Sequence, residues 1–552
     1  MNIKEKRWLI IADVLILFLA IYPIFLGGIV GGYDPGFHMG RIQTLANNIA
    51  GCHFPNPIGF EYLNKFGYGI GFFYGNLFIY PFALLRMLGV SLYHTYAVYI
   101  ITFVILNIIS INYVVQKLFN NRWATILSAP IYLSSYYTFG VIYSRAAAGE
   151  LIAFAIIPWI LLSLFKIVQG EYKYWYMLGI ALSLLLATHV LSFLIAVGTA
   201  VFIFIMNLIP IFKDKKIFFS FTKGALLFLG LSSVFLFSFV QQYLVQKYVD
   251  TSTNSAGRYL LFVNADWLNQ TFDMKQFVST NGTFLVLLLL FSFIYYLYKG
   301  RGFHFSTKII PQAFIIILVY GMLMLSPDFL HLVVKLFKPI ILLQVVTRVN
   351  VVLLPLLTFV VANALGNIIS DTGKFKIPMV TGFLAILTVI TVMFPIQNNL
   401  NFVANRKSPI STLSVSMGEY EPREFFNYNT ANDFKINDNF LEKSEKINIV
   451  KNNRNKVVVK VEDNNRARTV MLPRLYYKGY QVKLTYDGKT KTSPASTKNG
   501  LVAANLPRNF KSGKIEVTYK MTSIAKTGWV VFILTFCYLV WAFLKKFRRQ
   551  LM

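Results

Sequence analysis

Asp34 is the residue of this sequence that is best suited to acid–base chemistry, because it directly follows the first long apolar run. The proline after it predicts that a helix begins at Pro35 with Asp34 as its N-cap. On that helix His38 and Arg41 lie one and two turns further along nearly the same face. Asp34 therefore either only caps the helix or provides a general base or a metal-orienting carboxylate, with His38 and Arg41 facing the same cavity.

Glu150 is a second candidate, because it opens another apolar run just after Arg145 and four small residues. An acid in a first helical turn interacts favourably with the helix dipole, and Arg145 is then a simple flanking charge. Alternatively, the small residues let a ligand approach the backbone beside an arginine and a glutamate. A phosphate-bearing headgroup would suit such a place. The sequence leaves both interpretations open.

His189 and Arg348 each lie at the edge of an apolar stretch. A lone histidine in this setting is more often a hydrogen-bonded structural residue than a ligand. An arginine at a bilayer edge is costly unless it is paired, and its planar fork suits bidentate binding of phosphate. We predict Arg41, Arg145, His189 and Arg348 as substrate-binding residues, and Asp34, His38 and Glu150 as catalytic ones. The sequence contains no phosphate-binding loop, nucleophile elbow or catalytic zinc motif.

The composition is that of a membrane protein. Of the 552 residues 56% are hydrophobic and only 14% charged, with 51 Phe and 32 Tyr. The net charge is +30. In a membrane protein, such an excess of Lys and Arg is expected in cytoplasmic loops that face anionic lipid, so we expect membrane lipid and not nucleic acid as a partner. The two cysteines, Cys52 and Cys537, fall at different predicted depths, which excludes a disulfide framework and a cysteine-based zinc site.

The apolar runs predict about twelve transmembrane helices. They are placed at 8–30, 93–116, 123–143, 148–165, 174–188, 190–210, 224–244, 282–298, 309–326, 344–365, 377–395 and 525–544. The two predicted helices on either side of Thr188-His189, 174–188 and 190–210, would meet at a tight turn. When the spans alternate, the clusters of Lys and Arg fall on one side, which predicts a multi-pass protein of the cell membrane with both termini in the cytoplasm.

Three longer segments fall on the opposite, outer side. The first, 31–92, includes a predicted amphipathic surface helix, and the second is 245–281. The third, about 396–523, alternates apolar and polar residues in runs such as Lys456–Val461 and Lys514–Tyr519. Turn signals at Asp487-Gly488 and Asn499-Gly500 separate its runs, which predicts a β-sandwich. The predicted divisions are therefore a transmembrane core at 1–398, an extracellular β-rich domain at 399–523, and a final helix with a basic tail at 524–552.

Seven of the acidic residues before position 400 fall on the outer side. They are Asp34, Glu61, Glu150, Asp250, Asp266, Asp273 and Asp328. Five of the six histidines also fall there. The ionisable chemistry of the chain is therefore predicted to face outward.

Several stretches of the sequence form a recognisable set. They are Asp34-Pro35-Gly36-Phe37-His38-Met39-Gly40-Arg41, Gly51-Cys52-His53-Phe54-Pro55, Arg145-Ala146-Ala147-Ala148-Gly149-Glu150 with Pro158-Trp159, Thr188-His189, and Leu475-Tyr476-Tyr477-Lys478-Gly479-Tyr480 with Asn499-Gly500-Leu501. These stretches resemble bacterial membrane proteins of the YfhO type. A related group carries the label "6-pyruvoyl-tetrahydropterin synthase-related", but a soluble pterin synthase needs a three-histidine zinc site that cannot be assembled from this sequence.

The resemblance implies a polytopic α-helical glycosyltransferase of the GT-C class with a C-terminal extracellular β-sandwich. Such an enzyme takes sugar from a polyprenyl-phosphate carrier and adds it to a cell-envelope polymer such as lipoteichoic acid in Gram-positive bacteria. The class implies that Asp34 is the central catalytic acid. Some GT-C enzymes carry an adjacent Asp-Glu pair where this chain has Asp34-Pro35, so the metal requirement, a divalent cation or none, stays open. The alternatives are a glycolipid transporter or flippase and a non-enzymatic assembly factor.

Overall fold

The computed structural model describes most of the chain. The described residues are 3–27, 29, 31–53, 55–249, 282–299, 309–343, 345–405, 415, 418–431, 447–462 and 469–551. Of the acids predicted to face outward, Asp250, Asp266 and Asp273 lie outside these ranges. The protein is mostly helical, with β-strands confined to the C-terminal part of the described chain apart from isolated bridges.

The helices are numbered here in chain order. The first ten are α1 Ile3–Phe25, α2 Pro35–Ala50, α3 Tyr80–Met87, α4 Leu92–Phe119, α5 Arg122–Leu133, α6 Tyr136–Phe139, α7 Ala148–Val168, α8 Trp175–Leu186, α9 Val190–Met206 and α10 Leu208–Lys213. The others are α11 Lys215–Val245, α12 Thr283–Tyr298, α13 Ile309–Leu325, α14 Pro327–Leu336, α15 Asn350–Asp371, α16 Lys376–Thr391, α17 Gln397–Ala404, α18 Arg423–Ala431 and α19 Ser523–Leu551.

Seven helices among the described residues are long and apolar enough to cross a membrane. They are Glu5–Phe25, Leu92–Phe119, Ala148–Val168, Lys215–Val245, Val346–Asp371, Lys376–Ala404 and Ser523–Lys545. An eighth span results if α13 and the adjoining part of α14, which are bent by 104°, are counted together. The chain is thus a multi-pass membrane protein, but the predicted number of about twelve spans is not confirmed.

Helix breaks and short helices explain why some predicted spans fail this length test among the described residues. The predicted span 123–143 breaks after Leu133, where Ser135 caps α6 by accepting a hydrogen bond from the Thr138 N–H at 3.0 Å. Helices α8 and α9 end and begin on either side of Thr188-His189, as predicted, and contain only 12 and 17 residues. Helix α2 begins at Pro35 as predicted, but it is buried on most of its faces and is not a one-sided surface helix.

The described chain forms two compact units. The first consists of Met1–His38, Tyr93–Leu229 and Ser255–Ile410, and the second of Met39–Leu92, Gly230–Asn254 and Ser411–Met552. Among the candidate residues, only Arg41 belongs to the second unit. The division at residues 398 and 523 stays a prediction from sequence composition.

Helix α15 lies at the centre of the first unit and is buried along most of its length. It approaches α5 closely at Gly366, where an added Cβ would lie 2.5 Å from the backbone nitrogen of Ala124. Small residues permit such close contacts between apolar helices. Asp13 of α1 accepts two hydrogen bonds of 2.9 Å from the Asn112 amide, whose oxygen accepts another from Ser128 at 2.7 Å. The acid within this span therefore has partners.

The second unit contains a β domain of two antiparallel sheets. Its strands in the described residues are β1 Ile447–Asn453, β2 Lys456–Val461, β3 Thr469–Leu475, β4 Tyr480–Tyr486, β5 Lys489–Pro494, β6 Ser496–Lys498, β7 Leu501–Asn505 and β8 Gly513–Tyr519. The sheet orders are β1-β2-β8-β4-β5 and β3-β7-β6. Apolar residues of both sheets share one core, so the predicted C-terminal β structure is confirmed.

The two predicted turns join β4 to β5 and β6 to β7. Asp487 and Gly488 have φ of 48° and 68°, and Asn499 and Gly500 have φ of 53° and 71°. Positive φ at both central residues is the geometry that two-residue hairpins favour, and Asn-Gly and Asp-Gly adopt it at the lowest cost. These dipeptides therefore set the register of both hairpins.

Arg474 of β3 is the largest fully buried side chain among the residues that the structure describes. Its guanidinium donates to the backbone carbonyl of Lys65, to the Asn452 side chain at 2.7 Å and to the Arg454 carbonyl at 2.8 Å. Burial lowers the pKa of Arg474 to about 10. Carbonyl and amide oxygens compensate the buried charge in part, and Arg474 thus fixes residues 65, 452 and 454 against one another.

Candidate active site around Glu150

A short irregular segment of the first unit connects α6 to α7. Residues Gly140–Ser144 form a π-helical turn, and Ala146 adopts φ of 53° before α7 begins at Ala148. A positive φ is uncommon for a residue with a side chain and persists only where the surroundings enforce it. Here Ala146 is completely buried. The turn places Arg145 and Glu150 beside each other although they are five residues apart.

Glu150 is bound by three side chains. Arg145 donates to both carboxylate oxygens, from Nη2 to Oε1 at 2.6 Å and from Nη1 to Oε2 at 3.1 Å. Arg348 donates from Nε to Oε1 at 2.9 Å, and the Tyr137 hydroxyl donates to Oε2 at 2.6 Å. The structure therefore brings three of the predicted site residues together, and adds Tyr137.

The two arginines of this cluster are more accessible than the carboxylate that they contact. The Glu150 side chain is 1% exposed, whereas Arg145 is 27% and Arg348 15% exposed. Two guanidinium groups thus contact one deeply buried carboxylate and form the more accessible part of the cluster. Such an arrangement favours the binding of an anion. Glu150 itself, engaged by four hydrogen bonds, is suited to orienting the two arginines more than to accepting a proton.

Arg348 lies in the short 3-10 segment Val346–Val349 that leads into α15. Besides its bond to Glu150, it donates from Nη1 to the Leu343 carbonyl at 3.0 Å. An arginine at a bilayer edge needs a partner, such as an acid or a phosphate. Glu150 is one such partner of Arg348, whereas Asp328 lies exposed in the first turn of α14.

His189 is the N-cap of α9. Its Nδ1 accepts a hydrogen bond from the Ser192 N–H at 3.2 Å and lies 2.7 Å from the Ser192 hydroxyl. The ring is buried and lies within electrostatic range of Glu150. These contacts match the structural role expected of a lone histidine, and a contact between His189 and substrate stays a prediction.

Asp34 belongs to a segment that is bonded to the Arg145 turn. The Tyr33 N–H donates to the Ser144 carbonyl and the Asp34 N–H to the Arg145 carbonyl, both at 3.0 Å. Gly32 permits this approach, because a Cβ there would lie 2.3 Å from the Tyr143 carbonyl oxygen. Asp34 is half-buried at the start of α2. The structure thus brings the predicted base to the segment that holds the arginine cluster.

The two other candidates lie further along α2. His38 is buried and its N–H donates to the Asp34 carbonyl at 3.1 Å, in the first turn. Arg41 lies over the Tyr74 ring at 4.1 Å and donates to the Gly75 carbonyl at 2.7 Å and the Asn76 side chain at 2.9 Å. These contacts order the turn at 74–76, so the role of Arg41 towards a substrate stays a prediction.

Tyr137 is the residue of this site that sequence reasoning missed. It carries no distinguishing signal, because it is one of 32 tyrosines and neighbours another in Tyr136. Tyr137 and Glu150 are 13 residues apart, and the π-helical turn Gly140–Ser144 and the positive φ of Ala146 lie between them. Within the described ranges, no three His, Cys, Asp or Glu side chains come close enough together to hold a metal ion.

Among known proteins, this chain is similar to solved structures only. No family model and no curated protein matches this chain, so the resemblance to YfhO-type proteins is not confirmed. The arabinofuranosyltransferase AftD from mycobacteria is 15% identical, with a TM-score of 0.42 over 72% of this chain and 27% of that one. An oligosaccharyltransferase from Archaeoglobus fulgidus in the apo form is 12% identical, with a TM-score of 0.41 over 77% and 57%. This chain thus spans less than two thirds of either protein, and at these values neither likeness defines its activity.

Proposed function

We propose that this protein is a membrane glycosyltransferase that moves a sugar from a polyprenyl-phosphate donor to a cell-envelope acceptor. The observation that carries the proposal is the hydrogen bond between the Asp34 N–H and the Arg145 carbonyl. It links the backbone of half-buried Asp34 to that of Arg145, one of the two arginines that contact Glu150. A phosphate-linked donor and a hydroxyl acceptor need these two groups side by side.

The proposed reaction assigns a role to each group. The Asp34 carboxylate takes the proton of an acceptor hydroxyl while that oxygen attacks the anomeric carbon of the sugar. The bond between this carbon and the phosphate oxygen breaks, and its electron pair leaves with the polyprenyl phosphate. Arg145 and Arg348 stabilise the leaving phosphate, and Glu150 orients both guanidinium groups. His38, one turn after Asp34 on α2, helps to position the acceptor hydroxyl.

The activity is tested with purified protein and a radiolabelled polyprenyl-phosphate sugar, in the presence of cell-envelope polymer. We expect label in the polymer and release of polyprenyl phosphate in equal amounts. A parallel reaction with EDTA determines whether a divalent metal takes part. Translocation of the intact glycolipid across vesicles without transfer would instead identify a flippase, and binding without either would identify an assembly factor.

The proposed orientation, with the site on the outer face, is tested through a native cysteine. Cys52 is exposed in the structure. We expect a membrane-impermeant maleimide to label Cys52 in intact cells but not a cysteine introduced beside Lys215, which lies in a predicted cytoplasmic loop. Labelling at Lys215 and not at Cys52 would reverse the orientation and place the site in the cytoplasm.

Arg348→Lys is expected to raise the KM for the lipid donor about tenfold, and Arg348→Ala to raise it further. Lysine keeps the charge but loses the planar fork that binds both Glu150 and phosphate oxygens. Arg86→Lys is the matched control, because Arg86 also donates from Nε and Nη1, to Gln43 at 2.8 Å and to the Val90 carbonyl at 3.2 Å. An unchanged donor KM in both Arg348 variants would exclude Arg348 from the phosphate site.

A further inference from the structure

A cavity of about 310 Å³ lies in the second unit, where the β domain meets the first turn of α19. Three lysines contribute to its lining, and none of the residues that line it is Asp or Glu. The lysines are Lys478, Lys520 and Lys526, and the lining also includes Thr522 and Ser523. A concave site with three cations and no acid selects for an anion.

The backbone holds two of these lysines in fixed positions. The Lys520 N–H donates to the Gly479 carbonyl at 3.0 Å. Gly479 has φ of 127°, and a Cβ there would lie 2.7 Å from the Lys520 carbonyl oxygen, so only glycine allows this approach. Gln242 of α11 accepts from the Lys478 N–H at 2.9 Å and donates to the Lys478 carbonyl at 3.0 Å. The cavity wall is therefore built by specific contacts of the fold.

The start of α19 adds to the positive potential. Thr522 caps the helix by accepting from the Ala525 N–H at 3.2 Å, and its hydroxyl donates to the Gln241 side chain at 2.6 Å. The first N–H groups of a helix carry a partial positive charge and bind anions well. Thr522 and Ser523 line the cavity, so the helix start and the three lysines surround the same space.

The position of the cavity indicates the source of the anion. The apolar span Ser523–Lys545 begins at the cavity, and only 6% of it is buried inside the protein. The Ser233 hydroxyl of α11 donates to the Gly528 carbonyl at 2.8 Å, which joins α19 to a second apolar span just below the cavity. The cavity therefore lies where a membrane helix enters the bilayer, at the depth of lipid headgroups.

We propose that this cavity binds the phosphate group of an anionic phospholipid. This site shares no residue with the cluster around Glu150, and the proposal does not depend on the transferase activity. The lipid's phosphate pairs with the lysines and the helix start, while its acyl chains lie along the exposed face of α19. The β domain is thereby held to the membrane surface by a bound lipid as well as by its covalent connection.

The test uses purified full-length protein in neutral detergent and a fluorescent short-chain phosphatidylglycerol as probe. We expect saturable binding that unlabelled phosphatidylglycerol displaces and phosphatidylcholine does not. Inorganic phosphate and glycerol phosphate serve as further competitors. If they displace the probe as well as the lipid does, the site binds free phosphate and the lipid proposal is overturned.

The lysines are tested by Lys520→Gln/Lys526→Gln, which should weaken binding roughly thirtyfold, at the contribution typical of a lysine near an anionic lipid surface. Lys498→Gln/Lys511→Gln is the matched control, because both lysines are exposed in the same domain and neither lines the cavity. All four positions are exposed, so the variants should keep the melting temperature of the wild type. Equal loss in both double variants, or no saturable binding by the wild type, would refute the proposal.

Discussion

An Asp34→Asn protein is expected to fold and insert normally but to transfer sugar at least about a hundredfold more slowly than the wild type. Asparagine caps a helix nearly as well as aspartate, so the start of α2 at Pro35 should be preserved. The amide cannot accept the acceptor proton, and general base catalysis typically contributes about 10²- to 10⁴-fold. The loss should appear in kcat, because Asp34 acts on the acceptor during the reaction and not on the donor phosphate.

The control for this experiment is Asp328→Asn. Asp328 is an exposed acid in the first turn of α14, where Ser326 provides the cap. Asp328→Asn therefore makes the same chemical change as Asp34→Asn, also at the start of a helix, but at a residue that does not belong to the candidate site. Wild-type transfer by a well-expressed Asp34→Asn protein would reduce Asp34 to a helix cap, and the transferase proposal would then lose its base.

Glu150→Gln is expected to lower the free energy of unfolding by about 3–5 kcal/mol, the range found when one partner of a buried ion pair is removed. Two arginines would remain beside a neutral amide, and Glu150 is the acid that both contact. Chemical or thermal unfolding in detergent measures the change. Glu171→Gln is the control, since Glu171 pairs with Lys166 but is 38% exposed. Its effect should stay below about 1 kcal/mol.

A second substitution separates charge from packing at this position. If the loss arises from uncompensated charge, Arg348→Met in the Glu150→Gln background should recover part of the stability, because one surplus cation is removed. If the loss arises from packing alone, the double variant should be less stable than either single one. A Glu150→Gln protein as stable as Glu171→Gln would contradict the cluster as described.

Local signals in the sequence predicted the β domain better than the membrane core. The alternating runs at Lys456–Val461 and Lys514–Tyr519 lie in β2 and β8, because alternation and turn dipeptides are local properties of the chain. The number of about twelve spans is not confirmed, and hydropathy does not register the helix breaks that the described residues contain. Ser135 and Ser326 cap new helices inside or beside apolar runs, and α13 and α14 are bent by 104° there.

The candidate site was predictable in its residue types but not in its pairing. Arg145 and Glu150 are close in sequence, so their proximity could be expected. The bond from Arg348 to Glu150 joins residues 198 positions apart, and residue type alone does not specify such a partner. Helical spacing grouped Arg41 with His38, but the Arg41 guanidinium bonds to the turn at 74–76 because that turn presents a carbonyl and an aromatic ring.

The spacing of the Glu150 partners along the chain also sets an order of assembly during synthesis. Tyr137 and Arg145 precede Glu150 by 13 and 5 residues, so both are available when α7 enters the membrane. Arg348 emerges from the ribosome only after a further 198 residues, which at 5–20 residues per second takes on the order of 10–40 s. The nascent protein thus carries a locally neutralised glutamate for most of its synthesis. The second arginine reaches Glu150 only when the segment before α15 docks, so the proposed anion site would be completed late.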